Sequence, residues 1–101
     1  MISDIRDQPP ITLPTEFSLS QNYPNPFNPT TQIDYTLPTA GHVSLAVYTI
    51  LGEDVLDLVE GYMPAGHYRA QVDGTRLASG VYVVKLSTGK FSEVKKMLLI
   101  H

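Results

Sequence analysis

The chain of 101 residues contains no cysteine and no tryptophan. Without cysteine it cannot form disulfides, bind a metal through thiolates or use a cysteine nucleophile. Its longest uninterrupted apolar runs are four residues, as at positions 97–100, whereas a transmembrane helix needs about 20. Because 43% of the residues are hydrophobic and 17% are charged, the composition predicts one globular domain with a single core.

The charges are unevenly distributed along the chain. Residues 1–60 carry eight acidic residues and one basic residue, Arg6, whereas residues 61–101 carry six basic and two acidic residues. We expect opposite charges on neighbouring strands to balance one another. The net charge of −3 and the scattered lysines disfavour nucleic acid as a partner.

The sequence has none of the residue spacings that are typical of catalysis. The three histidines do not form an H-x-x-x-H motif, and no serine lies in G-x-S-x-G. On a strand, Asp54 and Asp57 are expected to project to opposite faces, where they cannot share a proton. At residues 73–75, one acid and a turn give only weak support for a calcium site, and an Asp-Gly turn is favoured. We therefore predict no enzymatic activity, no cofactor and no metal.

Residues 1–12 have the composition of an extended linker. They include Pro9 and Pro10 and three charged residues among few apolar ones. We assign residues 13–101 to the folded domain. Since residues 2–7 lack the basic start and apolar run of a signal peptide, an exported protein would carry this domain on a longer chain.

The domain is predicted to be an all-β antiparallel sandwich. Apolar residues alternate with polar ones, as at Ile33, Tyr35 and Leu37, and turn signals recur about every ten residues. About seven strands are expected, at residues 16–20, 32–37, 42–49, 53–59, 67–72, 80–86 and 91–100. Residues 54–60 also fit two helical turns, which we keep as an alternative.

The last predicted strand is unusual because it ends in apolar residues next to His101. Chain ends are normally polar and frayed. The strand therefore either completes the core or is presented to another protein. In the second case its backbone could accept an added strand, with Lys95 and Lys96 supplying charge and Met97 a flexible apolar contact. Its edge could also pair weakly with a second copy of the chain.

A proline-rich segment lies between the first two predicted strands. Its sequence NYPNPFNP occupies residues 22–29, and it must be irregular because proline cannot donate to a strand ladder. We expect it to stiffen a connection that crosses between the two sheets.

Three tyrosines, Tyr23, Tyr62 and Tyr68, are not committed to an apolar strand face. Exposed aromatic side chains can stack on sugars. A carbohydrate-binding or adhesion module of an extracellular enzyme is therefore the alternative function.

Four segments together resemble one family. They are NYPNPFNPTT at residues 22–31, VSLAVY at 43–48 with a following Leu51-Gly52, LASGVY at 77–82 and KKMLL at 95–99. In this order they are similar to the type A C-terminal sorting domain of the type IX (Por) secretion system of Bacteroidetes. The middle segments are also similar to flagellar hook-capping immunoglobulin-like domains. Val72 and Arg76 depart from the family pattern, where many members have a tryptophan and an acid.

The resemblance implies an immunoglobulin-like β-sandwich that serves as a secretion signal. Its partners would be a covalently linked N-terminal cargo domain, the outer-membrane type IX translocon and a sortase-like protease. The protein would pass through the periplasm to the outer membrane surface or the medium, and the cargo would be cut off and then released or attached.

The resemblance also assigns roles to residues of this chain. The residues expected to be recognised by the translocon are Lys95, Lys96, Met97, Leu98 and Leu99. The residues of the family motifs, expected to be structural, are Pro24, Asn25, Pro26, Phe27, Asn28, Pro29, Gly80 and Tyr82.

Overall fold

The computed structural model describes residues 14–101, so the linker predicted at residues 1–12 lies outside the described part. The strands are β1 (Ser18–Leu19), β2 (Thr30–Leu37), β3 (Gly41–Thr49), β4 (Asp54–Met63), β5 (Gly66–Asp73), β6 (Gly80–Thr88) and β7 (Ser92–Leu99). The predicted all-β class and the number of strands are confirmed. The helical alternative at residues 54–60 is wrong, because these residues lie in β4. Residues 14–101 include no helix long and apolar enough to cross a bilayer.

The strands form two antiparallel sheets that pack as a sandwich. The three-stranded sheet has the order β1-β2-β5, and the four-stranded sheet has the order β4-β3-β6-β7. This arrangement is immunoglobulin-like, because the first, second and fifth strands face a sheet built around the third and sixth. β7 is one of the two edge strands of the four-stranded sheet, and β4 is the other.

The core lies between the two sheets and follows the predicted alternation. Ile33, Tyr35 and Leu37 of β2 are buried, as are alternate residues of β3 and β6. The opposite residues of β2 are polar and face solvent, as expected when only one face of a sheet is covered.

β4 is longer than predicted. The sequence predicted a strand that ends at residue 59 and a next strand that begins at residue 67, but the strand runs on to Met63, and only Pro64 and Ala65 connect it to β5. Gly61 pairs with Val43 inside the ladder. The glycine marks no turn because the ladder with β3 continues through it.

Two register shifts in β4 change the direction of its acidic side chains. In the ladder with β3, Ala46 pairs with Asp57 and Tyr48 pairs with Asp54, so two residues of β4 have no pairing partner on β3. As a result Asp54 and Asp57 lie on the same face, and the expectation that they project to opposite faces is wrong. A hydrogen bond with Asp57, desolvation and the negative charge of Asp57 raise the pKa of Asp54.

Candidate recognition site

The residues that the sequence marks for recognition lie on β7 and alternate between its two faces. Met97 and Leu99 are fully buried in the core, at 1% and 0% exposure. Lys96 and Leu98 are exposed on the outer face of the four-stranded sheet. One face of segment 95–99 thus belongs to the core and the other face to the surface, because successive strand residues point in opposite directions.

Lys95 lies on the inward side of this edge strand. Its side chain is half-buried, and its Nζ lies 3.7 Å from Glu93 Oε2. An inward-pointing charge on an edge strand disfavours pairing with another chain. Lys95 and Lys96 therefore occupy different environments although they are neighbours in the sequence.

The proline-rich segment lies along the outer edge of β7. Phe27 N–H donates to the carbonyl oxygen of Leu98, and Ile100 N–H donates to the carbonyl oxygen of Phe27, both at 2.9 Å. Leu98 N–H donates to Asn25 Oδ1 at 3.0 Å. Gln21 Nε2 donates to the carbonyl oxygen of Lys96 at 2.6 Å. These hydrogen bonds occupy the outward backbone groups of β7 between the carbonyl of Lys96 and the N–H of Ile100.

Two expectations need correction as a result. The last strand does not offer its whole edge for strand addition, because the proline-rich segment already uses the second half of that edge. The segment also does not cross between sheets, since β1 and β2 belong to the same sheet. It leaves the three-stranded sheet only to bind β7 of the other one. Its peptide bonds before Pro24, Pro26 and Pro29 are all cis.

Phe27 anchors this contact in the core. Its side chain is 1% exposed, and it packs where the chain turns after β5. There Gly74 N–H donates to the carbonyl oxygen of Pro29 at 2.7 Å. A Cβ on Gly74 would lie 2.9 Å from Leu99 Cδ2 and 3.2 Å from Phe27 Cε2. Glycine is therefore needed here so that the turn, the proline-rich segment and β7 can approach one another.

A buried polar cluster shapes the start of the same segment. Asn22 and Thr31 are each 2% exposed. Thr31 Oγ1 donates to the carbonyl oxygen of Pro24 at 2.7 Å, and Asn22 Nδ2 donates to the same oxygen at 3.0 Å. Gln21 Nε2 donates to Asn22 Oδ1 at 2.6 Å. Since Gln21 also reaches Lys96, the cluster is connected by hydrogen bonds to β7.

The other residues of the family motifs have structural positions. Asn28 and Pro26 are exposed in the segment, and Pro29 is half-buried. Gly80 begins β6 with a φ of +155°, a backbone conformation that other residues rarely adopt. Tyr82 faces the core, and its hydroxyl donates to the carbonyl oxygen of Ala78 at 2.5 Å.

His101 is hydrogen-bonded to the loop before β6. His101 N–H donates to Ser79 Oγ at 3.1 Å, and His101 Nε2 lies 2.7 Å from the carbonyl oxygen of Leu77. Together with Ile100, these contacts keep the residues after β7 in place against the domain.

The candidate sugar-binding tyrosines do not form one surface. Tyr23 lies beside the outer face of the three-stranded sheet, with Gln32 and Arg69, whereas Tyr62 is exposed on the outer face of the other sheet. Tyr68 packs against the core and stacks on Tyr35 at 5.4 Å between ring centroids. Burial and the neighbouring Tyr68 raise the pKa of Tyr35.

The Asp73 turn is held by its own neighbours. Asp73 Oδ1 accepts hydrogen bonds from Thr75 Oγ1 at 2.5 Å and from Thr75 N–H at 2.9 Å. These hydrogen bonds from Thr75, together with the positive charge of Arg76, lower the pKa of Asp73. Within residues 14–101, no three histidines or acids are grouped as they would be to hold a metal ion.

Several residues of the site were missed by sequence reasoning. Gln21 and Gly74 were assigned no role there, and Asn22 and Thr31 were noted only as part of a motif. The pattern that could have indicated Asn22 and Thr31 is their position at either end of a proline-rich loop, where free carbonyls need donors. The contact of Gln21 with Lys96 spans 75 residues and has no local signal.

Comparison with known protein families adds an independent finding. The family model described as secretion system C-terminal sorting domain matches residues 21–100. The match begins at Gln21 and covers the proline-rich segment, the strands β2 to β7 and the hydrogen bonds between them. No curated protein matches the chain.

Proposed function

Because this chain belongs to the family of secretion system C-terminal sorting domains, we propose that the secretion machinery docks on the outer side of β7 and contacts Lys96 and Leu98. The domain is a sorting signal of the type IX secretion system, which exports an attached cargo toward the cell surface or the extracellular space. The family is not an enzyme family.

The observation that carries the proposal is the alternation along β7. Lys96 and Leu98 are exposed beside each other on one face, while Met97 and Leu99 are buried on the other. A partner that docks on the folded domain can touch only the first pair. Met97 and Leu99 then act by holding β7 in place. The partner recognises the exposed side chains of segment 95–99 as part of a folded surface.

The proline-rich segment supports the same mode of docking. Asn25 and Phe27 occupy the edge of β7 beside Leu98. A partner strand cannot use those backbone groups unless it displaces the segment. Contact through side chains on the outer face needs no such displacement, so the domain can be recognised as it is folded.

We also propose how the cargo is joined to the domain, exported and separated from it. Residues 1–12 form the linker, and residues 13–101 form the sorting domain. The protein passes through the periplasm, is recognised by the outer-membrane translocon, and is cut in the linker by a sortase-like protease. The cargo is then released or attached at the surface. The prolines of residues 1–12 support this view, because proline disfavours incorporation into helices and sheets, and proteolytic cuts concentrate outside such elements.

The test is a secretion assay with point variants. Residues 1–101 are fused behind a fluorescent reporter with an export signal and expressed in a bacterium that has a type IX system. The variants Lys96→Glu and Leu98→Ser change the outer face. Lys90→Glu and Leu51→Ser are matched controls, because both residues are exposed and neither lies on β7. Deletion of residues 95–101 is unsuitable because it removes two core residues.

We expect the parent fusion and both controls to reach the surface or the medium, and the two β7 variants to stay in the periplasm while folded. If the parent is exported and the β7 variants are exported equally well, the assignment of Lys96 and Leu98 is wrong. If the parent itself stays in the periplasm, the domain is not sufficient as a signal in that host and the whole proposal fails.

A further inference from the structure

The outer face of the four-stranded sheet carries opposite charges on its two sides. On β4, at one edge, the register shifts leave Asp54, Asp57 and Glu60 exposed on this face. On β6 and β7, at the other side, the same face carries Lys85 and Lys96. The acidic and basic sides are separated by β3.

Apolar side chains lie between and beside these charges. Val81 and Leu98 pair in register and are 44% and 38% exposed. Tyr48 and Val83 also pair, and both line a shallow depression of about 370 Å³ on this face. Exposed apolar groups that form a continuous patch are typical of interaction surfaces.

A second copy of the chain fits this pattern. Within one copy, Asp54, Tyr48, Val83 and Lys96 form a single row across the four strands. A two-fold axis parallel to the strands, between two such faces, places β4 of one copy over β7 of the other and keeps the rows in order. Asp54 then faces Lys96 of the second copy, and Tyr48 faces Val83 of the second copy.

We propose that two copies of the domain associate through this outer face, with Asp54 of each copy against Lys96 of the other and Asp57 beside Lys85 of the other. Four strands and four rows of residues cover roughly 500 Å² per copy at ordinary sheet spacings. The total of roughly 1,000 Å² is below that of standard stable interfaces. The dimer is therefore weak and depends on protein concentration.

The crowding of the carboxylates supports a basic partner on this face. The pKa of Asp54 is raised by its hydrogen bond with Asp57, by desolvation and by the charge of Asp57. Two adjacent carboxylates repel each other when both are ionised. A lysine of a second copy placed over Asp54 relieves this repulsion.

Self-association and secretion docking use overlapping side chains and exclude each other. Both involve Lys96 and Leu98, but only self-association involves Asp54 and Asp57. Substitution of Asp54 and Asp57 on β4 therefore distinguishes self-association from secretion docking, because it abolishes the dimer without changing export. The self-association test uses the purified chain alone, so its result does not depend on the proposed secretion function.

The experiment is sedimentation velocity over a concentration series with two charge-reversed variants. One carries Asp54→Lys and Asp57→Lys, and the other carries Lys85→Glu and Lys96→Glu. The control carries Gln71→Lys, which adds charge to the exposed face of the other sheet. Circular dichroism checks that each variant is folded.

We expect the parent and the control to show a weak dimer that dissociates on dilution and with added salt. Each charge-reversed variant should associate about ten-fold more weakly or not at all, whereas an equimolar mixture of the two should form a heterodimer. A parent that remains monomeric at every concentration overturns the proposal. So does a dimer that is insensitive to both charge reversals, because it would have to form through another surface such as the edge of β7.

Discussion

Asn25 and Leu98 are joined by a hydrogen bond across 73 residues of sequence, from Leu98 N–H to Asn25 Oδ1 at 3.0 Å. This bond connects two of the four segments that carry the family resemblance, the proline-rich segment and the last strand. Because Asn25 accepts a hydrogen bond from a backbone N–H at the edge of β7, the proline-rich segment and the last strand form one surface.

Replacing Asn25→Ala removes the acceptor of the Leu98 N–H. We expect a loss of about 0.5–1.5 kcal/mol in the free energy of unfolding, since the amide is at an edge where water can replace the lost partner. Urea denaturation measures the loss, and amide hydrogen exchange at Leu98 should become faster. Asn28→Ala is the control, because Asn28 is exposed in the same segment. Equal exchange rates in parent and Asn25→Ala would contradict the assigned bond.

The variant Gly74→Ala introduces a Cβ atom 2.9 Å from Leu99 Cδ2 and 3.2 Å from the Pro29 carbonyl oxygen. We expect a destabilisation of about 1–3 kcal/mol from overpacking, measured by thermal or urea unfolding. Gly89→Ala is a matched control, since no atom lies within 4 Å of its added Cβ. If both alanines have the same effect, the close approach around Gly74 is not limiting.

In Thr31→Val, the part-buried carbonyl oxygen of Pro24 loses one of its two donors, and Asn22 Nδ2 loses one acceptor. Valine has nearly the same shape, so the expected loss of about 1–3 kcal/mol reflects the unsatisfied polar groups. Thr30→Val changes the exposed neighbour on the same strand and should be nearly neutral. A neutral Thr31→Val would mean that the buried cluster adds little to stability.

The Asp73 turn is expected to make stability depend on pH. The pKa of Asp73 is lowered by its hydrogen bonds from Thr75 and by Arg76. A carboxyl group with a lower pKa in the folded state stabilises the fold above its unfolded pKa, and this contribution is lost as the pH falls through the folded pKa.

Thr75→Ala should therefore raise the pKa of Asp73 and reduce the acid sensitivity of this turn. Carbon-13 NMR titration of the Asp73 carboxyl group measures the change. Thr88→Ala, at a distant turn, is the control. An Asp73 titration curve that is identical in parent and Thr75→Ala would show that the hydrogen bond from the Thr75 hydroxyl does not set its pKa.

The two faces of β7 should respond differently to truncation. Met97→Ala leaves a cavity in the core and is expected to cost about 2–5 kcal/mol. Lys96→Ala, one position earlier and exposed, should change stability by less than about 0.5 kcal/mol. Denaturation of both purified variants provides the comparison. Similar losses for the two would mean that β7 is not packed as described.

Much of the fold follows from local patterns that the sequence contains. Alternating apolar residues such as Ile33, Tyr35 and Leu37 predicted buried strand faces, and the recurring turn signals predicted a sandwich of about seven strands. Both are confirmed because a side-chain period of two determines which residues can face a core. The same reasoning failed for β4, where two register shifts placed Asp54 and Asp57 on one face. Such shifts depend on the partner strand and have no clear local signal.

The sequence by itself determined the all-β class, the number of strands and, through its motifs, the family of this domain. Only the tertiary structure decided which residues of the segment 95–99 are buried and that the proline-rich segment covers the edge beside them. The physical reason is that these features depend on contacts between residues more than 70 positions apart. Local propensity cannot encode such contacts, which form only when both sheets have packed around the core.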